Sequence, residues 1–145
     1  NAKTLAPHKD SVSFRATAKL LALNPSPKWP AASYIGVHQG KDRNDSVQVL
    51  AIRNKATDNY LVIGYRLLVG GKEVKVESLA DVPLDAVMRV QIQYKNGVTH
   101  IQVNDLKPVE VHTPFKQVAP YVSVSSGEAE FATDLLRTSD GMPSL

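Results

Sequence analysis

The sequence predicts an all-β protein, an antiparallel sandwich or small barrel, from three observations. Apolar and polar residues alternate in many short runs, as half-buried strands require. Turn-forming residues punctuate those runs at short intervals. No stretch carries the 3.6-residue period of an amphipathic helix.

The clearest element is Met88 to Asn104, two alternating runs joined by Asn96-Gly97. Asn-Gly suits a two-residue type I′ turn, because both central positions need positive φ. Pairing outward from that turn places Lys95 opposite Val98, Tyr94 opposite Thr99, Gln93 opposite His100 and Ile92 opposite Ile101. Beyond these, Gln91 faces Gln102, Val90 faces Val103 and Arg89 faces Asn104. Strand alternation then puts Met88, Val90, Ile92, Tyr94, Ile101 and Val103 on one face, and Arg89, Gln91, Gln93, His100, Gln102 and Asn104 on the other.

Along the chain, residues 1–10 show no useful period and read as an N-terminal arm. Val12, Phe14, Ala16, Ala18 and Leu20 alternate with polar residues and predict a long strand with one buried face. The segment Asn24 to Pro30 holds three prolines in seven residues and cannot be a central strand. Tyr34 to His38 is a short strand, and the polar loop Gln39 to Asp45 follows. Val47 to Arg53 is apolar on both faces, as expected near a sheet centre. Asn54 to Asn59 is a turn. Leu61 to Val69 and Lys72 to Ser78 form a second hairpin about Gly70-Gly71, which places Leu67 opposite Val74 and Tyr65 opposite Val76. Leu79 to Asp85 leads into the central hairpin.

After Asn104, strands are expected at Val109–His112, Tyr121–Ser125 and Glu128–Ala132, the last two joined by a Ser126-Gly127 turn. Beyond Thr133 the chain fits one helical turn through Asp134, Leu135, Leu136 and Arg137 before a frayed end. The 145 residues read as a single domain with its core at about 12–132 and a C-terminal tail from 133 to 145.

Composition narrows the function classes. Apolar residues are 43% and charged residues 21%, an ordinary globular balance. The formal charge is +3, but lysines and arginines are scattered singly, which argues against a nucleic-acid partner. No apolar run is long enough to span a bilayer. Cysteine is absent, which removes disulfides, thiolate chemistry and CxxC zinc patterns. A start at Asn1 without methionine is read as a mature or trimmed chain, secreted or periplasmic.

The order of the pieces resembles the concanavalin A-like lectin and glucanase superfamily, and within it laminin G-like or related bacterial jelly-roll modules. The matching stretches are Phe14 to Leu23, Tyr34-Ile35-Gly36-Val37, Val47 to Ile52, Tyr60 to Ile63 and, above all, Met88 to Tyr94 with Ile101-Gln102-Val103-Asn104-Asp105. The resemblance implies an antiparallel β-sandwich of the jelly-roll type and a lectin-like, carbohydrate-binding role. Two departures limit it. Met88-Arg89 stands where laminin G-like modules often carry Trp-His, and the Glu-x-Asp-x-x-Glu strand of family-16 glycoside hydrolases is missing.

Candidate chemistry is correspondingly spare. The polar ladder of Arg89, Gln91, Gln93, His100, Gln102 and Asn104 suits glycan hydroxyls, and equally suits an ordinary solvated sheet face. Trp29, between Lys28 and Pro30, offers a ring for stacking on a sugar or a lid for the core. Asp42, Asn44 and Asp45 are oxygen-rich enough for Ca²⁺ but lack EF-hand spacing, so a polar turn is the simpler reading and no cofactor is expected. The four histidines have no metal-ligand spacing, and no Gly-x-Ser-x-Gly or phosphate-binding loop occurs. The expected function is a noncatalytic carbohydrate-binding module with a glycan or polysaccharide as partner. The alternative is a structural or protein-interaction domain of a larger protein, and a glycoside hydrolase-like enzyme comes third.

Overall fold

In the computed structural model, which describes residues 2–23, 31–125 and 127–139, the chain forms two stacked antiparallel sheets. The strands are β1 (Ala2–Thr4), β2 (Ser11–Leu23), β3 (Ala31–Gln39), β4 (Asp45–Arg53), β5 (Tyr60–Val69), β6 (Lys72–Pro83), β7 (Val87–Lys95), β8 (Val98–Val103), β9 (Val109–His112), β10 (Ala119–Ser125) and β11 (Gly127–Ser139). One sheet runs β1-β10-β3-β4-β5-β6 and the other β11-β2-β7-β8-β9. It is an all-β sandwich, and alternation alone assigns the core: Phe14, Ile92 and Ile101 from one sheet meet Ile35, Val49 and Ile63 from the other, all at most 1% exposed. Each such side chain contributes roughly 1.5–3 kcal/mol by leaving water.

The central hairpin forms in the expected register, from Lys95 opposite Val98 to Val90 opposite Val103. Asn96 and Gly97 adopt φ of 50° and 77°, the type I′ turn. β4 is buried on both faces from Ser46 to Ala51, as a strand next to the sheet centre should be.

Three expectations are corrected. The β5–β6 hairpin turns at Gly70-Gly71, but Leu67 pairs with Lys75 and Tyr65 with Glu77, not with Val74 and Val76. A bulge between Leu67 and Leu68 inserts one residue and rotates β6, so Val74 and Val76 are 57% and 59% exposed. Lys75 then lies over the Tyr65 ring and Glu77 accepts the Tyr65 hydroxyl at 2.8 Å. A bulged, lysine-bearing edge strand resists pairing with other chains.

Secondly, residues 2–4 of the N-terminal arm are a strand, paired with Ser123, Val122 and Tyr121 of β10. Thirdly, no helical turn forms at residues 134–137, because β11 continues to Ser139 along the edge of β2. There Asp134 pairs with Arg15, joined by an ion contact of 3.4 Å, and backbone pairing to a long neighbour outweighs the short local helix signal.

Candidate functional site

The two outward faces differ in character. On the five-stranded sheet, the predicted ladder divides in two. Arg89, Gln102 and Asn104 hold the corner after β8: Arg89 N donates to Asn104 Oδ1 at 2.8 Å, and Gln102 Nε2 donates to Asn104 O at 3.1 Å and also to Leu106 O. Gln91, Gln93 and His100 face outward, with Arg15 beside Gln91 and Ser13 beside Gln93, and the Arg89 guanidinium is also exposed, 3.9 Å from Asp105. Gln93 and His100 line an open cavity of about 520 Å³ with Ser11, Ser13, Lys95 and Leu136. His100 lies 3.6 Å from Glu110, both more than half exposed. This face is polar and solvated.

The outer face of the six-stranded sheet is polar and yet largely enclosed. Its strands put Ile35, Val37, Val49, Ile63 and Val122 into the core, so the alternate residues point away from the sandwich. Register aligns them in one row across the sheet: Thr4, Tyr121, Gly36, Gln48, Arg66 and Val76. Tyr121 and Gln48 are 1% and 4% exposed. A Cβ on Gly36 would stand 3.0 Å from Tyr121 Cε1, so the missing side chain is what lets the tyrosine ring lie against the sheet.

Arg66 is the fixed cation of this row. Its Nε donates to Gln48 Oε1 at 2.6 Å, one terminal nitrogen lies 3.5 Å from Glu73 Oε2, and the guanidinium sits 5.4 Å from the centre of the Tyr34 ring. Tyr34 belongs to the next row, with Ser123 and Leu50 as its partners. The guanidinium lies over the ring as a cation–π pair, which pre-positions a planar donor on this face for a polar ligand.

His38 lies one row the other way, between Ala119 and Ser46. The Asp42 carbonyl, 2.9 Å from Nδ1, can only accept, so Nδ1 carries the proton and Nε2 accepts from Thr4 Oγ1 at 3.1 Å. Its ring meets those of His8 and Tyr121 edge-on, at 5.0 and 5.3 Å. Burial first, then the neighbouring His8 and Arg43, lowers the His38 pKa and keeps the ring neutral. Burial likewise raises Tyr121 well above the ordinary phenol range, against the opposing pull of Gln48, Ser46, Arg66 and Arg43. The buried Tyr121 hydroxyl makes no hydrogen bond of good geometry among the described residues.

Other candidates resolve differently. Trp29 lies outside the described residues. Asp42 accepts from Asn44 N and Nδ2 at 2.9 and 3.1 Å, and Asp45 accepts from Gly70 N at 2.8 Å, so these oxygens tie the loop to the β5–β6 turn. Among the described residues no three His, Asp or Glu side chains converge as a metal site requires. No described helix is long and apolar enough to cross a membrane. Tyr34, Gln48, Arg66 and Tyr121 did not stand out in the sequence. Their available signal was Gln48 and Arg66, polar residues set inside otherwise apolar strands.

No protein-family model matches the chain, and no curated protein matches it in sequence. Solved structures do. A carbohydrate-binding module, CBM66 from Bacillus subtilis, superposes with a TM-score of 0.60 at 10% identity, covering 90% of this chain and 76% of that one. A double mutant of congerin II superposes at 0.59 and 16% identity, covering 94% and 98%. The fold is the concanavalin A-like jelly roll. An alginate lyase from Klebsiella pneumoniae shares it too, with a TM-score of 0.64 at 8% identity, over 90% of this chain and 60% of the enzyme. Neighbours with this concanavalin A-like architecture thus include both binding modules and enzymes, and at such identities the likeness is one of fold.

Proposed function

We propose that this chain is a noncatalytic carbohydrate-binding module that takes a glycan on the outer face of its six-stranded sheet. The observation that carries the reading is Arg66, held between Gln48 and Glu73 beside the Tyr34 ring. The Arg66 guanidinium, lying over the Tyr34 ring and held by the buried Gln48 amide, offers a planar donor to sugar hydroxyls, and the partly exposed ring adds apolar surface beside it. Fixing both in advance reduces the ordering cost of binding. A secreted or periplasmic setting accords with such a partner.

The noncatalytic part rests on access and charge. Tyr121 and His38, the groups able to move protons, are each 1% exposed. Glu73 pairs with Arg66 and Glu77 accepts from Tyr65, so among the described residues no unengaged pair of carboxylates stands beside the row for glycoside hydrolysis. A polysaccharide lyase is the second reading, favoured by the alginate lyases among the fold neighbours and by His38 lying against Tyr121.

The test is titration against a polysaccharide panel by calorimetry, with product formation followed in parallel. Arg66→Ala and Tyr34→Ala should each weaken binding roughly tenfold, about 1.4 kcal/mol. Gln91→Ala with Gln102→Ala should leave it near the parent value. The opposite pattern would move the site to the β7–β8 face, and turnover lost with His38→Ala would make the chain an enzyme. Binding to no glycan would leave a structural or protein-interaction domain.

A further inference from the structure

A second pocket opens at one end of the sandwich, away from the Arg66 row. Three separate segments wall it: residues 8–10 before β2, residues 39–41 at the end of β3, and residues 116–117 before β10. It is an open concavity of about 620 Å³. The walls are fastened to one another. Lys9 and Val118 exchange two backbone hydrogen bonds of 2.9 Å, Lys116 N donates to Gln39 Oε1 at 2.8 Å, and Gln117 Nε2 donates to Asp10 Oδ1 at 2.8 Å.

Those bonds engage Asp10 Oδ1, Gln39 Oε1 and the Gln117 amide. Asp10 is the one carboxylate among its described lining residues, and its Oδ1 accepts from the Gln117 amide. Among the described residues the ammonium groups of Lys41 and Lys116 have no ion-pair partner. His8 lines the same space, and its Nε2 is enclosed with no hydrogen-bond partner. A side chain at Gly40 would meet nothing within 4 Å, so the floor beside Lys41 is open.

We propose that this pocket binds an oxyanion carried on a small polar molecule. The fastened backbone brings the exposed side chains of Lys41 and Lys116 to the rim of one concavity, where their two positive charges attract a negative group. Among the described lining residues two lysines stand against one aspartate, which leaves an excess of positive charge. The volume exceeds that of a bare inorganic ion, which leaves room for the molecule that bears it. None of its described lining residues belongs to the Arg66 row, although His8 meets His38, which in turn touches Thr4 and Tyr121 of that row.

Amide-resolved NMR titration of the full chain with sulfate, phosphate and acetate, at constant ionic strength with chloride as reference, tests this and separates the oxyanion classes. At least one probe should give saturable shifts centred on Gly40, Lys41, Lys116 and Gln117. Lys41→Gln with Lys116→Gln should weaken that binding roughly tenfold, as expected for the loss of two charge contacts, while the remaining spectrum superposes on the parent. Lys41→Arg with Lys116→Arg should retain it. Non-saturable shifts matching chloride for all three probes would overturn the proposal. So would saturable binding that survives the double glutamine variant, or that centres on Arg43 and Arg66.

Discussion

Arg89 and Asn104 close the corner of the central hairpin reciprocally: Asn104 N donates to Arg89 O at 2.8 Å, and Arg89 N donates to Asn104 Oδ1 at the same distance. Asn104 does this at φ 48°, in the left-handed region. It therefore supplies both a rare backbone conformation and a side-chain acceptor. Asn104→Ala should destabilise by about 2 kcal/mol, one part for the lost hydrogen bond and one for the strained backbone. Asn104→Gly keeps the backbone comfortable and should cost about half as much. Urea unfolding should show lower midpoints with an unchanged slope. Equal losses in the two variants would remove the backbone contribution.

Tyr121 offers a contrasting case. Its hydroxyl is buried without a well-formed hydrogen bond, so removing it relieves an unmet polar group. Tyr121→Phe should be neutral or stabilising by up to about 1 kcal/mol. A destabilisation larger than that in thermal or urea unfolding would mean the hydroxyl has a partner such as a bound water.

Gly36 should be the least replaceable residue beneath the candidate face. A Cβ there would fall 2.2 Å from the Val47 carbonyl oxygen, on the neighbouring strand, with Tyr121 closing the other side. Gly36→Ala should cost about 3 kcal/mol because backbone rather than a flexible side chain must move. A variant as stable as the parent would contradict that contact.

His38 makes stability depend on pH. Its folded pKa lies below the unfolded value near 6.5, so the unfolded chain binds the proton more tightly. The stabilisation from the neutral ring is complete above pH 6.5 and is lost as pH falls below that, until the folded ring also protonates. His8, Arg43 and Tyr121 surround it, and no carboxylate accepts from its ring nitrogens to offset the new charge. Urea midpoints should drop between pH 7.5 and pH 5, and His38→Gln should flatten that slope. A parallel slope in the variant would assign the dependence to another group.

Much of the architecture was legible because alternation and turn chemistry act locally. The Asn96-Gly97 turn sets the pairing of Ile92 with Ile101, and one apolar face follows from it. The missed features are non-local. Ala2–Thr4 has no apolar period because an exposed edge strand needs only backbone pairing with β10. The bulge at Leu67/Leu68 depends on what Tyr65 can contact across β6, which no local pattern encodes. The Arg66 row draws one residue from each of six strands, so its members are neighbours only after folding. The β7–β8 ladder was visible because both of its halves lie in one hairpin.

The pairing of β11 with β2 joins the last described strand to one near the start of the chain. Until β11 is synthesised, that edge of β2 has no partner, while its other edge awaits β7. The five-stranded sheet therefore cannot be completed during synthesis from the first half of the polypeptide, and its closure is a late, high-contact-order event of the kind that takes milliseconds to seconds. Chains interrupted before residue 127 would expose a 13-residue strand with an open edge, which is a ready template for aggregation.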